Sequence, residues 1–431
     1  MTPQDNIMVV APVREDRGAE LRQMLDDMNR KPGVFNLENP YIQFQTIETL
    51  HFARFVIFED STREDLLAYG DVIPPPSETS LALLCDFDGS SDAFLQVLIA
   101  RCGPGLVQIF SCCKNGPSLA NLTSWLHQHF APASAAYVNW IGRTVVQARE
   151  EEQLFLALED HLDQIPGTPL PRDVWKELKS FVEREKTAQR LCLTPEAPTP
   201  LDWKINNLVH CIGIPLLLLL LSPVLIIILP FFLLQLRMHE KTDPVIAPRP
   251  ATDHAHQLAE LEDQFVTNQF SASGHIKPGW FRRWTITAVF MAIDYTSRHI
   301  FNRGFLARIV TIHYARWVFL GDHQRAFFAT NYDGSLEAYM GDFINKVSWG
   351  LNVVFSNGLG YPRTDWLILK GAKYELTFKD YLRRHQLPTQ VWYNATPHLT
   401  AIDKERNSRI RQGLEKPWLS DNDLKTWLSL F

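Results

Sequence analysis

The chain has 431 residues, 46% of them apolar and 21% charged, with a formal net charge of −6. Those proportions exclude wholesale disorder and leave room for two or three domains with sizeable cores. The acid excess, with no basic stripe, zinc knuckle or aromatic RNA-binding signature, gives no reason to expect nucleic acid as a partner.

Along the chain, residues 1–13 lack a basic stretch leading into a long apolar core, so no secretory signal is read there. The glycosylation sequons at Asn121 and Asn394 are then without consequence. Residues 7–13 read as a strand. Residues 18–29 have helical spacing, with Leu21, Met24, Leu25 and Met28 on one face. Residues 51–58 and 80–87 are β-rich, the second ending at Asp88-Gly89. A helix starts over 90–99, with Asp88 or Ser90 available to cap it. A last strand is expected over 136–146 and a last helix over 150–162. This β-α-β-β-α-β order is the ferredoxin-like arrangement.

The middle of the chain changes character. Pro-rich linkers at 193–201 and 243–252 read as extended and bracket residues 212–236, 25 residues without a charge. A membrane helix needs about 20. Pro215, Pro223 and Pro230 each remove a helix donor and point to a broken or re-entrant path, or to a segment lying in the membrane interface. Trp203 and the stretch from Trp280 to Trp284 are candidate anchors at the headgroup level. The basic flanks (Lys204, Arg237, Lys241) give little sidedness, and the soluble halves are expected on the cytoplasmic face. The cysteines at 85, 102, 112, 113, 192 and 211 form no CxxC pair and read as thiols of a reducing compartment.

The second half repeats the first. Residues 49–60 (TLHFARFVIFED) match 311–322 (TIHYARWVFLGD), and 85–95 (CDFDGSSDAFL) match 330–340 (TNYDGSLEAYM). GLVQIFS at 105–111 faces GLNVVFS at 350–356, and WLHQHFAP at 125–132 faces YLRRHQLP at 381–388. Collinear blocks of this kind point to an internal duplication. The expected fold is α+β: two duplicated ferredoxin-like halves, 1–190 and 253–431, packed as a pseudo-dimer with an apolar membrane segment between them. The second half would begin near Val266, with its first helix over 284–301 and last strand over 392–399.

Three groups of residues bear on chemistry. His313, Ala315 and Trp317 would share one face of a strand and Tyr314, Arg316 and Val318 the other. An Arg on so apolar a strand needs a carboxylate or an anionic ligand, and both His and Arg recur in the first half, which suits a fold determinant equally well. Asp88 and Asp333 read either as pocket acids or as Asp-Gly turns with helix capping. His398 has no counterpart in the first half, where Gly142 aligns, and a neutral imidazole there is either a metal ligand or a surface residue. Arg363 and Asp365 lie in a turn-rich loop and either line a site or pair with each other. Hydrolase, kinase and nicotinamide motifs are absent.

With its Asp-Gly turn closing the third strand of each half, the chain resembles the tandem ferredoxin-like (dimeric α+β barrel) superfamily, which includes the dye-decolorising peroxidases. Their GxxDG motif is matched at Asp88-Gly89 and Asp333-Gly334, without its first Gly. The resemblance implies haem b, with His398 as axial ligand, Arg363 beside the cofactor, and Asp333, Arg316 and His313 as catalytic groups. The expected function is a membrane-associated, haem-dependent oxidoreductase of peroxidase type acting on an apolar or lipid-like substrate. The alternative is a non-catalytic, membrane-tethered interaction or accessory module on the same scaffold.

Overall fold

The computed structural model describes residues 1–59, 62–70, 77–167, 170–246, 249–321 and 323–431. Asp60 and Asp322, the matched ends of the first repeated block, lie outside them. The fold is mixed α+β, built on two four-stranded sheets. The long strands are β1 (Gln4–Pro12), β2 (Leu50–Phe58), β3 (Ser80–Asp88), β4 (Ala133–Val138), β5 (Thr267–His275), β6 (Ile312–Leu320), β7 (Arg325–Asp333) and β8 (Thr389–Asn394). One sheet has the order β1-β3-β2-β8 and the other β5-β7-β6-β4, all antiparallel.

Each sheet takes its outer strand from the opposite end of the chain. The segments leading into those strands also bond the far sheet. Ala131 N–H donates to Met8 O and Val10 N–H to His129 O, both at 2.9 Å, while Leu387 N–H donates to Ser271 O at 2.8 Å. The two sheets therefore close on each other at both edges, and the open strand edges a free sheet would expose are paired.

Alternation along the strands sorts the side chains. Phe52, Val56 and Phe58 of β2 meet Tyr314, Val318 and Phe327 of the other sheet in the interior. Ala53, Phe55 and Ile57 point outward to helices. Strands buried on both faces read as unbroken apolar runs, which is what residues 50–58 are. His313 departs from the alternation. The register shifts between Ile312 and Tyr314, so Ala315 and Trp317 share the helix-facing side with Ile312, while His313 sits in the bulge.

Helices cover both outer faces. On the first sheet lie α1 (Gly18–Asp27), α2 (Ser91–Phe110) and α3 (Leu122–Gln128). A separate layer is built from α4 (Val145–Leu162) and α5 (Pro171–Thr187) with α11 (Ala401–Glu415) and α12 (Asp421–Leu428), around Leu158, Trp175, Leu178, Ile410 and Trp427. The second sheet carries α8 (Trp280–His299), α9 (Leu336–Phe355) and α10 (Glu375–His385), with α7 (Thr252–Leu261) leading into β5. Ser90 and Ser335 cap α2 and α9, leaving the carboxylates of Asp88 and Asp333 for other partners.

The apolar segment forms α6 (Leu201–Thr242), one unbroken helix of 42 residues. The chain does not turn back at the prolines, so a re-entrant path is not formed. Pro215, Pro223 and Pro230 stand eight and seven residues apart. Each removes one donor about two turns from the next, and all three fall on one face, so each local bend is tolerated. Both ends of α6 are fastened to the same body. At one end His210 Nδ1 meets His299 Nε2 at 2.8 Å, and Tyr295 Oη donates to Cys211 O at 3.1 Å. At the other, the Glu240 carboxylate accepts from Thr364 Oγ1 (2.9 Å) and the backbone N–H groups of Trp366 (2.8 Å) and Leu367 (2.7 Å). Arg237 pairs with Asp365 at 2.5 Å, and Asp243 pairs with Lys277 (2.9 Å) and Arg282 (2.5 Å). Between these anchors no residue from Ile212 to Gln235 is buried, and apart from Ser222 and Gln235 the side chains are apolar all round.

Candidate functional site

Arg54 and Arg316 cross the interior in opposite directions. Arg316, on β6, donates to Ile7 O (2.6 Å) and Cys85 O (3.0 Å) of the facing sheet and pairs with Asp86. Arg54, on β2, donates to Phe270 O (2.9 Å), Ser271 Oγ (3.0 Å) and Thr330 O (3.1 Å), and bonds Asn331. Asn331 Nδ2 also donates to Asp86 Oδ2 at 3.1 Å, so one carboxylate serves two guanidinium groups. Burial without its own carboxylate pushes Arg54 down to about 9. Both arginines stitch the sheets together with their donors occupied. Arg316 is 3% exposed, and its guanidinium is engaged by Ile7 O, Cys85 O and Asp86 rather than turned to a ligand space among the described residues.

The His and Asp of each repeated block form a second device. His51 Nε2 meets Asp88 Oδ1 at 2.9 Å, and His313 Nε2 meets Asp333 Oδ1 at 2.6 Å. The other oxygen of each Asp accepts from the first turn of a helix: Val145 N–H at 2.9 Å for Asp88, and Ala401 N–H at 2.7 Å for Asp333. Negative charge at a helix N-terminus is favourable, so each pair ties a strand to α4 or α11. Burial works against the Asp333 carboxylate, but His313, Ala401 N–H and Thr267 outweigh it and hold it below its ordinary range. Burial keeps His313 neutral, pushing its pKa down, with Nε2–H toward Asp333.

The two pairs differ in one respect that the sequence did not single out. Lys404 Nζ lies 3.4 Å from His313 Nδ1, is buried, and is pushed down to about 8 by burial. Its side chain stands over the Phe52 ring, and the space it shares with His51, His313, Asn139 and Arg143 is about 30 Å³. That is roughly the share of one water molecule.

These positions do not fit a haem. The space beside His313 and Asp333 is far too small for a macrocycle, and His398 is exposed on the turn before α11, beyond the end of β8. Arg363 is exposed and donates to Asp243 O at 3.1 Å, holding the end of α6. Asp365 pairs with Arg237 and with Lys370 at 2.6 Å, not with Arg363. His398, Arg363, Arg316 and Asp333 do not converge on one cavity. Among the described residues no group of three or more His, Cys, Asp or Glu is placed to hold a metal ion.

An apolar cavity of about 350 Å³ lies elsewhere, between the second sheet and helices α8 and α9. Its floor is Ile312, Ala315, Trp317 and Phe328. Its walls include Val289 and Ile293 of α8, and Tyr339, Phe343 and Val353 of α9. Thr296 and Tyr339 bring the few hydroxyls to an otherwise hydrocarbon lining. Ala292 and Trp349 are exposed, so the cavity opens in the cleft between the two helices. Inside α9, Val347 leaves helical geometry (φ −144°, ψ 35°), bending the wall at the cavity.

Among the described residues the matching place beneath α2 of the first half is filled, and a pair of glycines shows why. Gly105 of α2 and Gly350 of α9 begin the matched stretches at 105–111 and 350–356. A Cβ on Gly105 would stand 1.8 Å from Tyr41 O, whereas a Cβ on Gly350 would meet nothing within 4 Å. The chain between α1 and β2 supplies the plug, packing Phe35, Ile42 and Phe44 beneath α2 against Phe55. The segment between α8 and β6 is shorter, and its Phe301, Leu306 and Ala307 only rim the cavity.

The surface of the second half is unusual too. Trp280, Trp284 and Trp349 are exposed by half or more, and Trp366 by 48%; Trp349 lines the apolar cavity and Trp366 lies under Arg237 of α6. No known protein family, curated protein or solved structure matches the chain.

Proposed function

We propose that the protein is a membrane-associated binding module that takes an apolar chain, of the kind a lipid carries, into the cavity between α8 and α9. The observation that carries this reading is the hydrocarbon-lined space of about 350 Å³ that opens beside a helix apolar on every side. Ligand cavities run from about 300 Å³ upward and are mostly apolar. A helix with no polar face suits immersion in the bilayer. Its two anchors on one body favour immersion in one leaflet over a passage that separates the halves. The exposed tryptophans then lie at headgroup level, where such rings concentrate. Six unpaired cysteines suit a body on the cytoplasmic face.

The same reading takes the halves as two copies of one ferredoxin-like unit with their last strands exchanged. The matching strand orders, the paired His–Asp–helix ties and the crossed arginines support it. One copy kept its plug and the other opened a cavity.

The test is a titration of nanodisc-embedded protein with a fatty acid carrying a polarity-sensitive fluorophore. Saturable binding near one probe per chain is expected, with at least tenfold weaker binding in Ala315→Leu, whose added carbons fill the cavity floor. Equal, non-saturable uptake by both proteins would sink the proposal.

A further inference from the structure

A second cavity, of mixed polar and apolar lining and about 1190 Å³, lies between α4, α5, α11 and the amino-terminal end of α6. Arg143 lines it and is only 8% exposed, yet its Nε and Nη2 have no hydrogen-bond partner. The Trp140 ring stands 4.5 Å from the guanidinium carbon, and the carboxylates of Glu151 and Glu405 act on its charge from a distance. Arg411, 6% exposed, comes from the opposite wall. Its Nε holds Glu415 at 2.8 Å and one Nη2 donates to Thr194 O, but Nη1 has no hydrogen bond and faces Glu151 only at 3.9 Å. Arg298, Arg303, Lys179 and Lys186 also line the cavity, against the carboxylates of Glu183, Glu196 and Glu415, so the lining carries more positive than negative charge. Buried guanidinium donors without acceptors are costly and uncommon unless something supplies the missing oxygens. A planar fork of N–H groups matches a phosphate or carboxylate.

We propose that this cavity binds a phosphate-type oxyanion between Arg143 and Arg411. The anion is either a small phosphate compound or the headgroup of an anionic lipid. The site shares no lining residue with the apolar cavity and does not rest on the function proposed for that cavity. Glu151, 3.9 Å from Arg411, belongs to the site as its counter-charge when the anion is absent: burial, with Glu415 and Glu150 adding to it, pushes it up to about 7, against the pull of Arg143 and Arg411.

The experiment compares wild type, Arg143→Met and Arg143→Lys. Thermal melting is followed in inorganic phosphate against chloride at fixed ionic strength. Co-sedimentation is measured with phosphatidylcholine vesicles, with and without phosphatidic acid. A melting rise specific to phosphate in wild type, absent in Arg143→Met and partly kept in Arg143→Lys, assigns the site to a small phosphate compound. No phosphate effect, but a gain of at least fivefold in vesicle binding from phosphatidic acid that Arg143→Met abolishes, assigns it to a lipid headgroup. In either case Arg143→Met, relieved of a buried cation whose Nε and Nη2 have no acceptor, melts no lower than wild type in chloride. Neither effect in wild type, or both effects intact in Arg143→Met, overturns the proposal. So does Arg143→Met melting well below wild type in chloride, because Arg143 would then be a packing residue on Trp140.

Discussion

Arg316→Met separates a structural from a functional arginine. The change deletes a cation that pairs with Asp86 and donates to Ile7 O and Cys85 O, all between the two sheets. It leaves Asp86, 5% exposed, with Asn331 as its remaining partner. Stripping the cation from a buried carboxylate costs roughly 3–5 kcal/mol. Arg54→Met is the control. The acceptors it abandons are neutral, which costs about 1–3 kcal/mol, and the loss is offset by removing a cation that burial already disfavours. Arg316→Met is therefore expected to lose about 2 kcal/mol more than Arg54→Met in urea unfolding followed by circular dichroism and tryptophan emission. Asp86→Asn added to Arg316→Met should recover at least half of that excess, since the stranded charge is gone. Equal losses for the two arginines, or no recovery with Asp86→Asn, would refute the account of the interior. An unchanged unfolding midpoint in Arg316→Met would return that residue to the list of functional candidates.

Three further outcomes are expected. Lys404 has a folded-state pKa of about 8, below the value of about 10.4 in an unfolded chain, so the unfolded state holds more protons between those limits and this group adds stability as pH rises through that window; Lys404→Met should be more stable than wild type at pH 7, with the gap closing by pH 10 in paired urea titrations. Glu240→Ala removes the acceptor for Thr364, Trp366 and Leu367, so limited proteolysis should cut within 363–371 at least tenfold faster while the two sheets stay folded. Gly350→Ala should stabilise by up to about 1 kcal/mol through helix propensity, whereas Gly105→Ala, driven into Tyr41 O, should destabilise by several times that in the same unfolding assay.

Much of the scaffold was legible in the sequence because period and turn chemistry are local. Leu21, Met24 and Leu25 do line the buried face of α1, and both Asp-Gly turns end a strand just ahead of a Ser-capped helix. Boundaries moved where two signals overlapped. Residues 136–146 read as one strand, yet β4 ends at Val138, because Thr144 and Gln147 form a capping box that starts α4 at Val145. Likewise β8 ends at Asn394, and Thr400 with Asp403 starts α11, which leaves His398 on a turn. The bulge at His313 broke a strict alternation that composition alone could not reveal.

The cavities were not legible for a different reason. Patterning reports which residues avoid water, not whether the space between them is filled. Lys404 and Arg143 look like ordinary helix and turn residues, and only the fold buries them beside His313 and Trp140. Two signals were present for the apolar cavity. The chain from Met28 to Thr49 has no counterpart of equal length after α8, and Gly105 and Gly350 align although only the first lies under a neighbour.

The most direct test of the central claim is photo-crosslinking with a diazirine-bearing fatty acid in nanodiscs, followed by peptide mapping. Label is expected on residues 289–307 and 339–354, the walls and rim of the cavity, and should fall at least tenfold there in Ala315→Leu while any label on α6 persists. Label confined to α6, or unchanged on α8 and α9 in Ala315→Leu, would contradict the claim that the cavity holds an apolar chain.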